Sequence, residues 1–329
     1  MRWMARRGAG RPLSGSKRRR QRLADLAVFY EHPRWFEALF AALDRRGVSW
    51  TPIAIGDHVF DPASRGAPAP VILNRLAMSS FLRQEEHALF YSLAVLDHWE
   101  GLGARVINGA GVLAYDTSKA RQLSLFRRAG LDIPKTRIAH RRGDVAGLAA
   151  QIGYPVIVKV NVGGSGAGMT RYDTAGEHEA ALADGPTPLG VDGVVLIQEY
   201  MPAREARVIR CEVLGGKLLY GLALTGAGST FDLCPADACM IDKPTIAIEA
   251  YTPPAPIVTA VEKVARLAGL DVGGIEYMFV DRDGRAKFFD LNAMSNFVAR
   301  PLEVLGWDPH ENLIDYLLGE VAARRRPAA

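Results

Sequence analysis

At 329 residues, with 49% hydrophobic and 23% charged side chains, the chain can bury the cores of about two or three domains, which excludes the disordered and fibrous classes. The net charge of +4 is unevenly placed: residues 1–22 carry nine Lys or Arg and no acid, and Arg324, Arg325 and Arg326 add three more, leaving about −8 elsewhere. That mildly acidic body argues against nucleic acid as the main partner, and no apolar run approaches the roughly 18 residues of a membrane span.

Residues 1–22 are rich in Arg, Gly and Ser and are expected to be a disordered basic tail. The apolar stretch after it is interrupted by Asp25 and Glu31 and has no cleavage site, so no signal peptide is read and a cytoplasmic location is expected. Three cysteines, Cys211, Cys234 and Cys239, make no disulfide framework and suit a reducing compartment. Leu26–Tyr30 reads as a buried strand and Trp35–Arg46 as a helix; Val48–Ile53 and Val71–Leu73 follow as strands. Glu85–Gly101 is predicted helical, and Arg105–Asn108 a strand ending at Gly109-Ala110-Gly111. This succession predicts a small parallel α/β domain over 23–113, without the Gly-rich turn of a Rossmann site.

Ser118–Ala129 is predicted helical, with Lys119 in a first turn where the helix dipole disfavours a cation unless an anion is near. Tyr154–Val160 is a β-branched strand carrying Lys159, and Asn161–Met169 follows it with Gly163, Gly164, Ser165, Gly166 and Gly168. Such a loop offers backbone N–H groups to a polyphosphate and can close as a lid, with Lys159 reaching the same oxygens; a plain hairpin tip is the alternative. Val194–Tyr200 is another buried strand. Pro202 stops its ladder and should leave the backbone of Gln198, Glu199, Tyr200 and Met201 free to meet an adenine edge. Val208–Leu214 and Lys217–Ala223 form a hairpin about Gly215-Gly216, with Arg210 and Glu212 on one face. Arg210 there is a candidate clamp on transition-state charge, or a salt-bridge partner. Thr225–Cys239 has no assignable structure, Pro256–Gly269 is an amphipathic helix, and Asn312–Arg324 closes the chain.

Between the last two helices lies the most informative stretch. Ile275–Val280 and Ala286–Leu291 flank Asp281–Gly284, and a three-residue loop with Gly284 left-handed pairs the strands so that residue numbers sum to 566. Glu276 then opposes Asp290, and Asn292 points to the same face. Directly opposed like charges repel, so these hard oxygen ligands read as a Mg²⁺ site that takes the rest of its shell from phosphate and water. The alternative is a solvated pair bridged by Arg282 or Lys287.

With these parts in order, the chain resembles the ATP-grasp superfamily, specifically its RimK-type glutamate ligases and glutathione-synthetase-like relatives, over about residues 114–320. The motifs are Asp116-Thr117-Ser118-Lys119 with Ile133-Pro134, Pro155–Lys159 with its Gly-rich loop, Gln198-Glu199-Tyr200-Met201, Ile209-Arg210, Gly274-Ile275-Glu276 and Asp290-Leu291-Asn292. The resemblance implies an α/β and α+β architecture, the ATP-grasp fold: a pre-ATP-grasp domain at 23–113, a lid subdomain at 114–195, a C-terminal subdomain at 196–322, and a tail at 323–329. It implies that Lys119, Lys159 and the Gly-rich loop hold phosphates and Gln198–Met201 the adenine, while Glu276, Asp290 and Asn292 hold two Mg²⁺ ions, or Mn²⁺. Two departures stand out. Val208 replaces an acid of that family, which leaves ribose contact to a residue such as Glu205. Thr230-Phe231-Asp232-Leu233-Cys234 replaces its Arg and Phe-x-x-Asn-Leu acceptor segment.

The implied activity is an ATP-dependent carboxylate–amine ligase working through an acyl phosphate, with Arg210 on the oxyanion and small-molecule or peptide substrates. Neither membrane nor nucleic acid is an expected partner; a homo-oligomer is compatible with the sequence. The rivals are a nucleotide-binding sensor or pseudoenzyme, and a kinase or acid–thiol ligase using the same ATP site. A third is nucleic-acid binding through the basic tail.

Overall fold

The computed structural model describes residues 24–80, 88–164, 168–226, 246–280 and 282–325. The expected disordered tail, Ser165 and Gly166, almost all of the Thr225–Cys239 loop, Cys234 and Cys239 lie outside the described residues. No helix among the described residues is long and apolar enough to cross a membrane.

The chain begins with β1 (Leu26–Tyr30), α1 (Glu37–Arg45), β2 (Trp50–Ala54), β3 (Val71–Arg75), α2 (Ala88–Gly101) and β4 (Arg105–Ile107). The four strands form a parallel sheet in the order β2-β1-β3-β4. Both faces of its central strands are covered, which is why β1 and β3 are apolar on successive residues. Ala27, Phe29 and Ile72 pack with Val95, Leu96 and Trp99 of α2; Leu26, Val28 and Leu73 pack with Leu39 and Leu43 of α1 on the other side.

Gly109-Ala110-Gly111 does not simply end a strand, as the sequence suggested. Gly109 caps α3 (Ala110–Asp116), whose start has no side-chain cap of its own. The Glu100 carboxylate instead accepts the Ala110 N–H at 3.3 Å, and a β-carbon at Gly109 would collide with that carboxylate. The capping group comes from α2, so local sequence carries no sign of it. Next comes α4 (Lys119–Arg128), capped by the Ser118 hydroxyl.

A second, antiparallel sheet in the order β5-β8-β6-β7 contains β5 (Thr136–Ala139), β6 (Val156–Val160), β7 (Met169–Tyr172) and β8 (Val195–Glu199), with α5 (Val145–Ile152) and α6 (Ala175–Asp184) between them. Val145, Ala149 and Ile152 cover one face, against Val156, Val158, Val195 and Ile197. The alternate residues Lys159 and Gln198 turn the other way.

The third sheet, β11-β10-β9-β12-β13, is built from β9 (Arg207–Leu214), β10 (Lys217–Thr225), β11 (Ala247–Tyr251), β12 (Val272–Phe279) and β13 (Ala286–Asn292); α7 (Ala255–Ala268) joins β11 to β12. One face packs Ile209, Cys211, Val213, Ile275 and Tyr277 against Leu123, Phe126, Val261 and Val264. Two boundaries move in consequence. Helices α3 and α4 pack on this large sheet although they fall at the end of the expected N-terminal domain and the start of the expected lid; β8, cut off by a division at 195, is a central strand of the small sheet.

The chain ends with α8 (Pro301–Val304) and α9 (Pro309–Arg325). Leu313, Ile314, Leu317 and Val321 return to the N-terminal sheet, so α9 completes a core begun almost three hundred residues earlier. It absorbs the start of the expected 323–329 tail: Arg324 donates to the Gly103 carbonyl at 3.1 Å, and Arg325 pairs with Asp25.

Candidate active site

The β12–β13 hairpin brings Glu276 opposite Asp290, as its sequence predicts, but by a different route. The ladder near the turn closes on Val280 and Arg285 and sums to 565, not 566; Gly284 is left-handed at φ 65°. A β-bulge at Phe289 then adds one residue and restores the 566 register at Glu276, Ile275 and Gly274. The bulge lets Phe288 and Leu291 both reach the core while Asp290 and Asn292 face the opposite way.

On that face the Asn292 amide donates to Asp290 Oδ2 at 3.1 Å and to Glu276 Oε1 at 3.4 Å. Neither Arg282 nor Lys287 bridges the acids: Arg282 lies 3.6 Å from Glu199, and Lys287 pairs with Asp132 and Asp283. The cations are Lys119 and Arg210. Lys119 Nζ donates to Asp290 Oδ1 at 2.5 Å, which supplies the anion its place in a helix N-terminal turn called for. Burial pulls the Lys119 pKa down, but Asp290, then Glu276 and Asp116, outweigh it and hold the ammonium above its ordinary value. Arg210 donates to Glu212 at 2.6 Å and Glu276 at 2.7 Å, and those carboxylates raise its pKa despite burial. Burial in turn pushes Glu276 up, against the pull of Arg210.

From the small sheet, Lys159 Nζ donates to Gln198 Oε1 at 3.0 Å, and the Gln198 amide donates to Thr136 at 3.0 Å. Lys159 is 5% exposed, and burial, helped by the charge of Lys119, lowers its pKa to about 7. The site therefore holds one lysine neutralised by a carboxylate and a second facing a neutral amide.

Asp116, quoted in the sequence only as part of a motif and given no role there, is a residue of this site. It is buried, accepts the Ala293 N–H, and is pushed up to about 7 by burial, with Asp290 adding to the rise. The signal was available in principle, as an acid just before the capped helix that carries Lys119. Asn161, likewise missed, accepts from Ser118 and the Ala120 N–H and donates to Asp192, tying β6 to α4.

At its described start the Gly-rich segment meets the N-terminal domain: a β-carbon on Gly164 would stand 3.3 Å from Ser79. Gly163 precedes it in the segment leaving β6. The expected free backbone after β8 is corrected in part: Glu199 N–H donates to Lys135 and Tyr200 N–H to Pro155, so both are used within the small sheet. Met201 follows them, buried. Glu205, at φ 56° and 3.4 Å from Arg207, lines a cavity with Arg204, Arg207, Ile209, Tyr251 and Phe279, on the face of the large sheet that carries Ile209 rather than Arg210.

Among the described residues no cluster of three or more His, Cys, Asp or Glu side chains forms a metal cage by itself. Two carboxylates and an amide, already gathered around cationic groups, fit a hard cation that draws its other ligands from phosphate and water.

Residues 116–235 match the RimK-like ATP-grasp domain. This chain carries an ATP-grasp fold. A probable alpha-L-glutamate ligase of Picosynechococcus is 30% identical over 192 residues, 58% of this chain and 60% of that protein. The ribosomal protein bS6–L-glutamate ligase of Escherichia fergusonii is 27% identical over 201 residues, 59% and 61% of the two chains. The chain thus spans about 60% of the length of these curated relatives. In solved structures, the ATP-grasp ligase PsnB with a minimal precursor superposes at a TM-score of 0.65, 20% identity, and 90% and 99% coverage of this chain and that one. D-alanine–D-alanine ligase from Bacillus anthracis gives 0.66, 18%, 91% and 98%. The ATP-grasp likeness extends over the N-terminal sheet as well as the two that follow.

Proposed function

We propose that the protein is a cytoplasmic, ATP-dependent carboxylate–amine ligase that forms an amide or peptide bond through an acyl phosphate and releases ADP and phosphate. The observation that carries this reading is the convergence of Lys119, Lys159 and Arg210 with Glu276, Asp290 and Asn292 between two antiparallel sheets. ATP would lie between those sheets, its base toward Gln198–Met201, its phosphates toward Lys119, Lys159 and the Gly-rich loop. Glu276, Asp290 and Asn292 would hold two Mg²⁺ ions, with the Asn292 amide turned to offer its oxygen. Bound there, the metal would neutralise charge on the transferring phosphoryl group.

The protein's own residues do the rest by position. Lys119, now paired with Asp290, would be free to meet phosphate oxygens if Asp290 held a metal. Lys159, facing only an amide, is ready to meet phosphate. Arg210, fixed by two carboxylates, can stabilise the oxyanion when an amine attacks the acyl phosphate. Gly164, beside Ser79, would help to keep water from that intermediate. Relatives named for glutamate ligation and a neighbour solved with a peptide precursor support amino-acid or peptide substrates.

The test is phosphate release from ATP and Mg²⁺ with pooled amino acids and small peptides, beside Asp290→Ala. We expect acceptor-dependent release that falls at least ~10³-fold in the variant, since a metal ligand and the Lys119 partner are both lost. Release indifferent to acceptor, or a fully active variant, would overturn the reading.

A further inference from the structure

Two buried groups beside this site, the Arg75 guanidinium and the second carboxylate oxygen of Glu212, are used by none of the steps above. Arg75 ends β3, at the carboxyl edge of the parallel sheet. In the order β2-β1-β3-β4, connections leave in opposite directions on either side of the β1–β3 boundary, which opens a crevice suited to ligands. Arg75 is 2% exposed; one terminal nitrogen donates to the Ser295 carbonyl, and its guanidinium lies 5.4 Å from the Phe36 ring centroid. Its Nε and Nη1 have no hydrogen-bond partner.

Glu212, on β9, is fully buried. Its Oε1 accepts from Arg210, while Oε2 has no partner. Burial lowers the Arg75 pKa to about 10 even with the charge of Glu212 opposing it, yet no ion pair joins the two among the described residues. Two buried, opposite charges, each with an unused hydrogen-bonding atom and not in contact with each other, are costly unless something joins them. That something must offer an anion to Arg75 and a cation to Glu212.

We infer that Arg75 and Glu212 form the binding subsite for a free α-amino acid, its carboxylate on Arg75 Nε and Nη1 and its ammonium on Glu212 Oε2. The planar fork of the guanidinium suits a carboxylate, and Glu212 leads through Arg210 to Glu276 and the phosphoryl site. The assignment rests on the ligase reading for the bound molecule's place as the amine-bearing substrate. It does not rest on that reading for the binding itself.

The experiment is calorimetric titration of the full chain with each proteinogenic L-amino acid, with AMP-PNP and Mg²⁺ titrated separately. The tightest amino acid is then compared with its α-amide and its N-acetyl derivative. Arg75→Met and Glu212→Gln are the variants; the glutamine keeps an acceptor for Arg210, and methionine fills the buried space without a charge. Each should weaken the free amino acid on the order of 30-fold, the scale of losing one partner of a buried charge pair. Arg75→Met should cost the α-amide little, and Glu212→Gln should cost the N-acetyl derivative little. A merely structural role would weaken all three ligands alike, and that result overturns the subsite. So does a wild-type protein that binds AMP-PNP but no amino acid, an outcome that leaves the nucleotide reading standing. Amino-acid binding without nucleotide binding would support the subsite and overturn the nucleotide reading instead.

Discussion

Lys159 and Asp116 show how burial sets charge at single residues. Lys159 has a folded-state pKa of about 7 against an ordinary 10.5, so between those values the unfolded chain binds the extra proton. Its contribution to stability therefore rises with pH across that window. A polyphosphate reverses the balance by stabilising the ammonium, so nucleotide binding at pH 8 should take up about one proton at this residue. Binding enthalpies in buffers of different ionisation heat measure that uptake, and Lys159→Met should abolish it. Asp116 runs the other way: its pKa rises from 3.8 to about 7, so the folded state holds the extra proton and stability falls as pH rises through that window. Asp116→Asn keeps an acceptor for the Ala293 N–H and removes the charge. It should raise the melting temperature at pH 8, by up to about 4 kcal/mol of stability, and give no gain below pH 4. A gain equal at both pH values would show that the buried charge is not the cause.

Adjacent glycines at the start of β12 separate two uses of an absent side chain. A β-carbon at Gly274 would overlap the Arg210 guanidinium, the far end of a side chain pinned between Glu212 and Glu276. At Gly273 it would meet the Asn292 carbonyl, part of the backbone of β13. Gly274→Ala should keep the fold at a cost of about 1–3 kcal/mol and lower turnover by displacing Arg210. Gly273→Ala should lose more stability, because a paired strand has no room to yield. Denaturant midpoints together with phosphate-release rates distinguish the two; equal stability losses would contradict this account.

Across the whole molecule, the N-terminal sheet and the large one share an apolar core, and one asparagine and one arginine add polar fastenings between them. Asn108, left-handed at φ 53°, donates to the Val272 and Ala293 carbonyls at 2.5 Å each and accepts from the Asp271 and Val272 N–H groups at 3.0 and 3.2 Å. Arg105 adds Asp271 and, at 2.8 Å, Glu320 of α9. Asn108→Ala would strand several buried backbone groups at once, for an expected loss of about 2–4 kcal/mol. Thermal unfolding should show it, with the transition broadening if the N-terminal sheet loosens first. A change below about 0.5 kcal/mol, typical of surface sites, would mean the junction is held by other contacts.

Local periodicity and turn chemistry were enough to place β1, β3, α4, β6, β8, the β9–β10 turn and α7, because each answers to its own apolar face, cap or glycine. The acidic hairpin and the two lysines were likewise legible, since like charges facing each other and a cation in a helix's first turn are local anomalies. What the sequence left undecided depends on partners distant in the chain. The cap of α3 is a carboxylate of α2, the register at Asp290 depends on a bulge that serves the core beneath it, and α9 belongs to a sheet at the other end of the chain. The lid boundary and the N–H groups of Glu199 and Tyr200 were settled by which strands pair. The unpaired faces of Arg75 and Glu212 come together only when β3 and β9 do, since a buried charge shows its need for a partner only once the surrounding fold has removed water.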